Sequence, residues 1–217
     1  MKTSDAACPV AETARSGRRT GRPQDHSSDA SILTSTLDLL AERDYERLTV
    51  DEVAARTGKA KTTLYRRWAT KEDLVLAALR AAGRPPEVER LPDLGSLRSD
   101  LLAVIDSSWL GGPDRRLSIF AGLASATRNS DRLAEVVRSE ITEPYVEVYR
   151  RLLRRAIDTG EIAASLTAKI PVLAEVIPAM STHRLNTSRE PVQREFFVSV
   201  VDDVVLAALR ITRDEPR

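Results

Sequence analysis

Residues 49–68 read T-V-D-E-V-A-A-R-T-G-K-A-K-T-T-L-Y-R-R-W, and this stretch decides the fold. Thr49, followed three residues later by Glu52, is a capping box: the hydroxyl satisfies a free backbone N–H while the carboxylate reaches back. Val50, Val53 and Ala54 then supply one apolar face, and Gly58 stops the helix because glycine accepts left-handed backbone angles. A third helix follows over 60–68, with Leu64 and Trp68 four apart and therefore on one face. If those two face the core, Lys61, Thr62, Tyr65 and Arg66 face outward, and Lys59, Ala60 and Thr63 stand at the leading end. Two helices across a short glycine-containing turn, the second basic and hydroxyl-rich, form the helix-turn-helix pattern.

Outward from this unit the pattern is helical almost throughout, which predicts an all-α chain. A first helix from about Asp29 to Arg43 presents Ile32, Leu33, Thr36, Leu37 and Leu40 on one side. A fourth helix opens at Thr70, with Asp73 three residues on, and is filled by Leu74, Leu76, Ala77 and Leu79. Gly83, Pro85 and Pro86 close the unit, so the chain divides into a polar arm (1–27), a helix-turn-helix domain (28–84) and a helical bundle (85–217). Bundle helices are expected at about 95–110, 114–128, 130–158, 167–184 and 191–211. Pro191 suits a first helical position, and Pro178 falls inside its helix, where a kink is expected.

Charge supports a nucleic-acid partner only through its placement. The net charge is +1, but residues 1–84 hold 15 Lys and Arg against 12 Asp and Glu, so +3, and the remainder is −2. Residues 56–71 carry Arg56, Lys59, Lys61, Arg66, Arg67 and Lys71 with no acid, and residues 15–22 carry Arg15, Arg18, Arg19 and Arg22 with none. The side chains of the third helix suit a duplex. Thr62 and Thr63 can meet base edges or a thymine methyl, and Lys61 and Arg66 can donate to guanine or phosphate. Tyr65 suits a phosphate, while Thr49 and Lys71 stand at helix starts where phosphates dock. Arg67 either touches the DNA backbone or is solvated. Arg18, Arg19 and Arg22, within G-R-R-T-G-R-P, read either as a minor-groove arm or as a solvated tail.

Several function classes are excluded. Only His26 and His183 exist, Cys8 is alone, and no P-loop, dinucleotide glycine fingerprint or Cys/His metal spacing occurs. Asp202 and Asp203 are adjacent on a helix and point about 100° apart, so they form no acid/base dyad. The expectation is a non-enzyme with no catalytic residues, no metal and no cofactor. No stretch approaches the roughly 18 uncharged apolar residues of a membrane helix, and a lone cysteine suits a reducing cytoplasm. Residues 1–24 contain Asp5 and Glu12 and lack an apolar segment, which favours a polar tail over a transit peptide.

Residues 29–80 resemble the DNA-binding domain of the TetR (tetracycline-repressor-type) regulators. The resemblance is carried by D-Y-E-R-L-T-V-D-E-V-A-A-R-T-G, then K-A-K-T-T-L-Y-R-R-W, then T-K-E-D-L. Asp44 stands where that family usually has Gly, and Asp tolerates the left-handed region better than most residues; Trp68 stands where it commonly has Phe. The resemblance implies DNA contacts at Thr49, Lys59, Lys61, Thr62, Thr63, Tyr65, Arg66 and Lys71. It also implies a dimer acting on a palindromic operator, and a small molecule bound in the second domain that weakens DNA binding reciprocally. Candidate pocket walls are Trp109, Phe120, Tyr145, Tyr149, Met180 and His183, although 4% aromatic content argues against a large aromatic cage. The dimer candidates form two apolar rows on the last helix, Phe196, Val200 and Val204 with Ala208, and Phe197, Val201 and Val205 with Leu209, a stripe wide enough to bury one side in its own domain and, with the helix at 167–184, another against a partner. Repressor, activator and non-specific architectural binder all remain open from residues alone.

Overall fold

The computed structural model describes residues 26–187 and 192–210, and these contain helices and turns with no β-strand among them. The first four helices are α1 (His26–Arg43), α2 (Val50–Thr57), α3 (Lys61–Arg67) and α4 (Lys71–Ala81). Their boundaries follow from local chemistry. Thr49 Oγ1 accepts from the Glu52 N–H at 3.2 Å while the Thr49 N–H donates to Glu52 Oε2 at 3.2 Å, closing the expected capping box. Gly58 ends α2 at φ 62°; its N–H donates to the Ala55 carbonyl and that of Lys59 to the Ala54 carbonyl, a Schellman closure. A second box opens α4, with the Asp73 N–H donating to Thr70 Oγ1 at 3.0 Å and the Thr70 N–H to Asp73 Oδ2 at 3.2 Å. Asp44 adopts φ 74°, as the turn after α1 requires, and its Oδ1 accepts from the Arg47 N–H at 3.1 Å.

A turn at Pro86–Val88 leads to α5 (Leu97–Ile105). This helix stops five residues short of the expected end. Asp106 (φ −83°, ψ 4°) ends it, and the positive φ of Leu110, Gly111 and Gly112 (56°, 85° and 97°) keeps the chain from resuming an α-helix before Pro113. The carbonyls of Ile105 and Ser107, exposed by the early stop, accept from the buried Arg116 guanidinium. Then come α6 (Pro113–Asn129), α7 (Asp131–Val137) and α8 (Glu143–Asp158). The last two are continuous through a π-helical turn, Arg138–Thr142. Pro144 stands two residues past it; it has no N–H for the carbonyl four residues back, and a wider turn accommodates that loss. The described residues end with α9 (Ile170–Thr187) and a helix of three parts: α10 (Arg194–Ser199), a π-helical stretch Val200–Leu206 and α11 (Ala207–Arg210). Pro178 lies inside α9, whereas Pro191 falls outside the described residues.

Two apolar clusters hold the molecule together. One joins Ile32, Leu40, Leu48, Leu64 and Leu74 of the first four helices and their connections to Ile119, Leu123 and Leu133 of α6 and α7. The other packs α5, α8, α9 and the last helix around Leu101, Val148, Leu152, Ala174 and Val201. The first cluster runs across the expected boundary near residue 84, with α6 laid against α1. At that contact the Tyr45 N–H donates to the Gly122 carbonyl at 2.9 Å, and Arg115 Nη2 donates to Asp38 Oδ1 at 2.7 Å. The Trp109 indole N–H donates to the Ala82 carbonyl at 3.1 Å, and Arg132 pairs with Asp73 at 2.7 Å.

Candidate nucleic-acid interface and effector cavity

Helix α3 has only seven residues and no side-chain cap at Ala60, so it does not stand without tertiary support. Leu64 supplies the anchor at 0% exposure, and half-buried Trp68 packs against the same cluster. The opposite face carries Lys61, Thr62, Tyr65 and Arg66, all exposed, with Tyr65 at 43%. Lys59 and Thr63 are half-buried at the leading end of α3, and Thr49 is exposed at the start of α2. Arg66 has no hydrogen-bond or ion-pair partner among the described residues. Lys61 Nζ pairs with Asp51 at 2.7 Å, which raises the lysine pKa, and it lies 5.7 Å from the Tyr65 ring centre. Exposed pairs of this kind contribute well under ~1 kcal/mol, so Lys61 can leave Asp51 for a phosphate.

Two basic residues are engaged within the protein. Arg67 is neither free nor solvated: it is ion-paired with Asp29 of α1, both side chains being largely covered. Lys71 is half-buried, donates to the Tyr45 carbonyl at 2.9 Å and lies 4.3 Å from the Tyr45 ring centre. Burial raises the pKa of that tyrosine. Arg18, Arg19 and Arg22 lie outside the described residues.

Behind α6 lies a cavity of about 140 Å³ between α5, α6, α8, α9 and α10. Phe120, Tyr145 and Tyr149 are on its wall, with Arg116, Leu123 and Ile177. Trp109 is not. It sits one layer behind, tilted against Phe120 at 6.3 Å between ring centres and edge-on to Tyr145 at 5.9 Å, with its N–H committed to Ala82. Tyr145 and Tyr149 are stacked at 6.3 Å. Four of the nine aromatic rings thus gather in one place, a concentration that the low overall content does not reveal. Burial pushes both tyrosine hydroxyls well above their ordinary pKa. Met180 and His183 are exposed and off the wall, because α9 turns Ile177, Ser181 and Leu185 toward the cavity at i, i+4 and i+8.

Comparison with known proteins agrees with this geometry. Residues 32–78 match the family model "Bacterial regulatory proteins, tetR family", and residues 91–204 match "Tetracyclin repressor-like, C-terminal domain". The chain belongs to the TetR family of transcriptional regulators. It is a DNA-binding regulator built from a helix-turn-helix domain and a helical second domain. A similar protein is the DNA-binding transcriptional repressor TetR of Mycobacteroides abscessus, 32% identical over 83% of this chain and 93% of that one. Among solved structures, GusR of Salmonella enterica covers 87% of this chain and 98% of its own at 16% identity, with a TM-score of 0.63. FadR of Bacillus subtilis, in complex with stearoyl-CoA, covers 83% and 97% at 18% identity, with a TM-score of 0.55.

The last helix of this TetR-family chain sorts its two apolar rows unequally. Phe197, Val201, Val205 and Leu209 are all buried inside the protomer, and Phe197 also lines the cavity. In the other row Val200 is buried, Phe196 and Ala208 are half-buried, and only Val204, at 42%, is exposed. Four of the six dimer candidates, Phe197, Val200, Val201 and Val205, therefore serve the protomer's own core. A row of apolar residues fixes a helix face but not what covers it. Val172, at 70%, and Met180 are the exposed large apolar residues of α9. No long apolar helix that could cross a membrane and no group of potential metal ligands occurs among the described residues. Arg116 and Gly122 were not singled out from sequence. A signal existed for the first: Arg116 falls in register with Ile119, Leu123 and Ala126, a charged residue on an apolar face.

Proposed function

We propose that this regulator represses transcription by binding a palindromic operator as a homodimer in the cytoplasm, and that a small molecule in the cavity releases it. The observation that carries the reading is the α3 face: Thr62, Tyr65 and unpaired Arg66 exposed on a helix anchored from behind by Leu64. Thr49, Lys59, Lys61 and Thr63 complete the DNA contacts, Lys71 being held by Tyr45 within the protein, and Arg18, Arg19 and Arg22 reach the adjacent minor groove. Residues 28–84 read DNA, and 85–217 bind the effector and the second subunit.

Exposed Val172, Met180 and Val204 support a dimer face on α9 and the last helix, since apolar side chains left in water favour association. FadR's complex with stearoyl-CoA supports small-molecule binding by a chain of this fold. Helix α6 supports the link between the sites, because it walls the cavity on one face and packs on α1 with another. Coupling is then reciprocal: ligand and operator weaken each other by the same factor.

The test is selection of bound duplexes from a random pool, followed by sedimentation of the protein on the recovered site. A palindrome bound by two chains is expected, with affinity that survives excess random DNA. Recovery of no consensus, or displacement by random DNA, would replace this reading with a non-specific binder.

A further inference from the structure

We propose that the ligand of the cavity is a small organic carboxylate: an apolar body of about one ring, with its acid group held by Arg116 and Tyr145. The inference rests on the reading of this cavity as the effector site and adds the ligand's chemistry. Arg116 is 6% exposed and lies on the cavity wall. Nη1 donates to the Ser107 carbonyl at 3.0 Å and Nη2 to the Ile105 carbonyl at 2.6 Å, which occupies two of the five N–H groups of a guanidinium. No carboxylate pairs with it among the described residues. A buried cation hydrogen-bonded only to carbonyls is costly, and an anion that enters beside it recovers part of that cost.

Tyr145 supplies the second group. Its hydroxyl is buried on the same wall with no hydrogen-bond partner, and the Arg116 charge acts on it. Burial keeps this phenol protonated at neutral pH, so it donates. A buried donor without an acceptor costs free energy until a ligand supplies one. Of the other charges nearby, Arg194 and Asp114 leave the anion's place free and Glu87 opposes it. Arg194, at the rim, is held by Asp106 through two 2.6 Å bonds. Asp114 is exposed at the start of α6, where water screens it. Glu87 sits on the Pro86–Val88 turn packed against α8, off the cavity wall and without an ion pair to Arg116, but its Oε2 is buried without a hydrogen-bond partner and its charge acts on both tyrosines, so it opposes an anion at this end of the cavity and reduces what Arg116 and Tyr145 contribute. The remaining wall is mostly apolar. Phe120, Leu123 and Ile177 offer flat and aliphatic surface to a ring, and about 140 Å³ compares with the roughly 150 Å³ cavity that accepts a benzene.

The experiment uses the full chain and three acid–amide pairs: benzoate and benzamide, phenylacetate and phenylacetamide, cyclohexanecarboxylate and its carboxamide. Thermal shift and calorimetric titration should show at least one acid binding, with its amide at least about tenfold weaker. Tyr145→Phe should weaken that acid about tenfold while leaving the unliganded Tm unchanged or higher, since an unpartnered buried hydroxyl is removed. Arg116→Met should erase the preference for acid over amide. Because Arg116 also ties down the end of α5, the tyrosine variant carries the test if the arginine variant does not fold. Equal binding of acids and amides, binding of no acid, or unchanged acid affinity in Tyr145→Phe would each overturn the proposal. The same acids are added to a gel-shift assay. An acid that binds the cavity without loosening DNA supports the ligand class and refutes the effector role. Release of DNA by a neutral amide alone does the reverse.

Discussion

Replacing Gly122 by alanine tests the joint between the two halves. A Cβ built at Gly122 would stand 2.3 Å from the Leu40 carbonyl oxygen and 3.4 Å from the Asp44 Cα. Both neighbours are backbone, so no side-chain rotation relieves the contact. To reach the 3.0 Å below which real Cβ contacts essentially never fall, α6 and α1 must part by at least 0.7 Å. The 2.9 Å hydrogen bond from Tyr45 to the Gly122 carbonyl spans that seam and stretches with it. Overpacking of this kind costs ~3 kcal/mol at the upper end of its usual range. Alanine recovers about 1 kcal/mol through helix propensity. The net loss is then ~2 kcal/mol, and at about 2–4 °C per kcal/mol for a chain this size Tm falls by roughly 4–8 °C. A melt followed by far-ultraviolet circular dichroism, with and without operator, measures it. Operator affinity should fall as well, because the end of α1 and the turn at Asp44 are displaced. Overpacking and helix propensity act on Tm with opposite signs, so the outcome is sharp. A rise in Tm would mean that only propensity acts and that the seam is not tight.

Three further outcomes follow from the interface. Tyr65→Phe, at a 43% exposed ring, should lower operator affinity about 5–10-fold by gel shift and leave Tm unchanged; a large loss of stability would mean the ring is structural. Arg66→Ala should weaken DNA binding and reduce the slope of log K against log salt by about 1, whereas Arg67→Ala should mainly lower stability, by on the order of 1 kcal/mol, because it strands Asp29. Equal effects of the two on salt dependence would contradict the assigned facing. Asp73 has its pKa lowered by hydrogen bonds from Arg132 and Thr70, so its contribution is present above the unfolded-chain value of 3.8 and is lost as pH falls through the lower folded value. An acid titration of Tm should therefore drop less steeply below about pH 4 in Asp73→Asn, and parallel curves would remove Asp73 from the acid response.

The helix-turn-helix unit was legible because its instructions are local. Thr49 with Glu52, Thr70 with Asp73, and the left-handed Gly58 and Asp44 each act within a few residues of themselves. The outward face of α3 followed from Leu64 and Trp68 alone. Partners far apart in sequence were not legible. Arg67 reads as a DNA or solvent residue until Asp29, 38 positions earlier, is seen beside it, and Lys71 reads as free until Tyr45 takes it. The same limit misassigned Met180 and His183, since periodicity gives the faces of α9 but not which one borders empty space. It also placed Phe197, Val201 and Val205 at a partner's surface when the protomer itself covers them.

What connects the legible half to the illegible one is α6. On a helix, Arg115 and Gly122, seven apart, share a face, and here that face carries the Asp38 ion pair and the close approach to Leu40. Arg116, Phe120 and Leu123, spaced four and then three, share the adjacent face, and that face walls the cavity. A ligand that moves the second set therefore moves the first, because a helix of 17 residues has intrahelical hydrogen bonds along its length and little freedom to absorb a displacement internally. Gly122 brings the two backbones so close that no side chain is left between them to soften the transfer. The contact that gives the first core its tight packing is thus the one through which an effector's push would reach the DNA-reading helix.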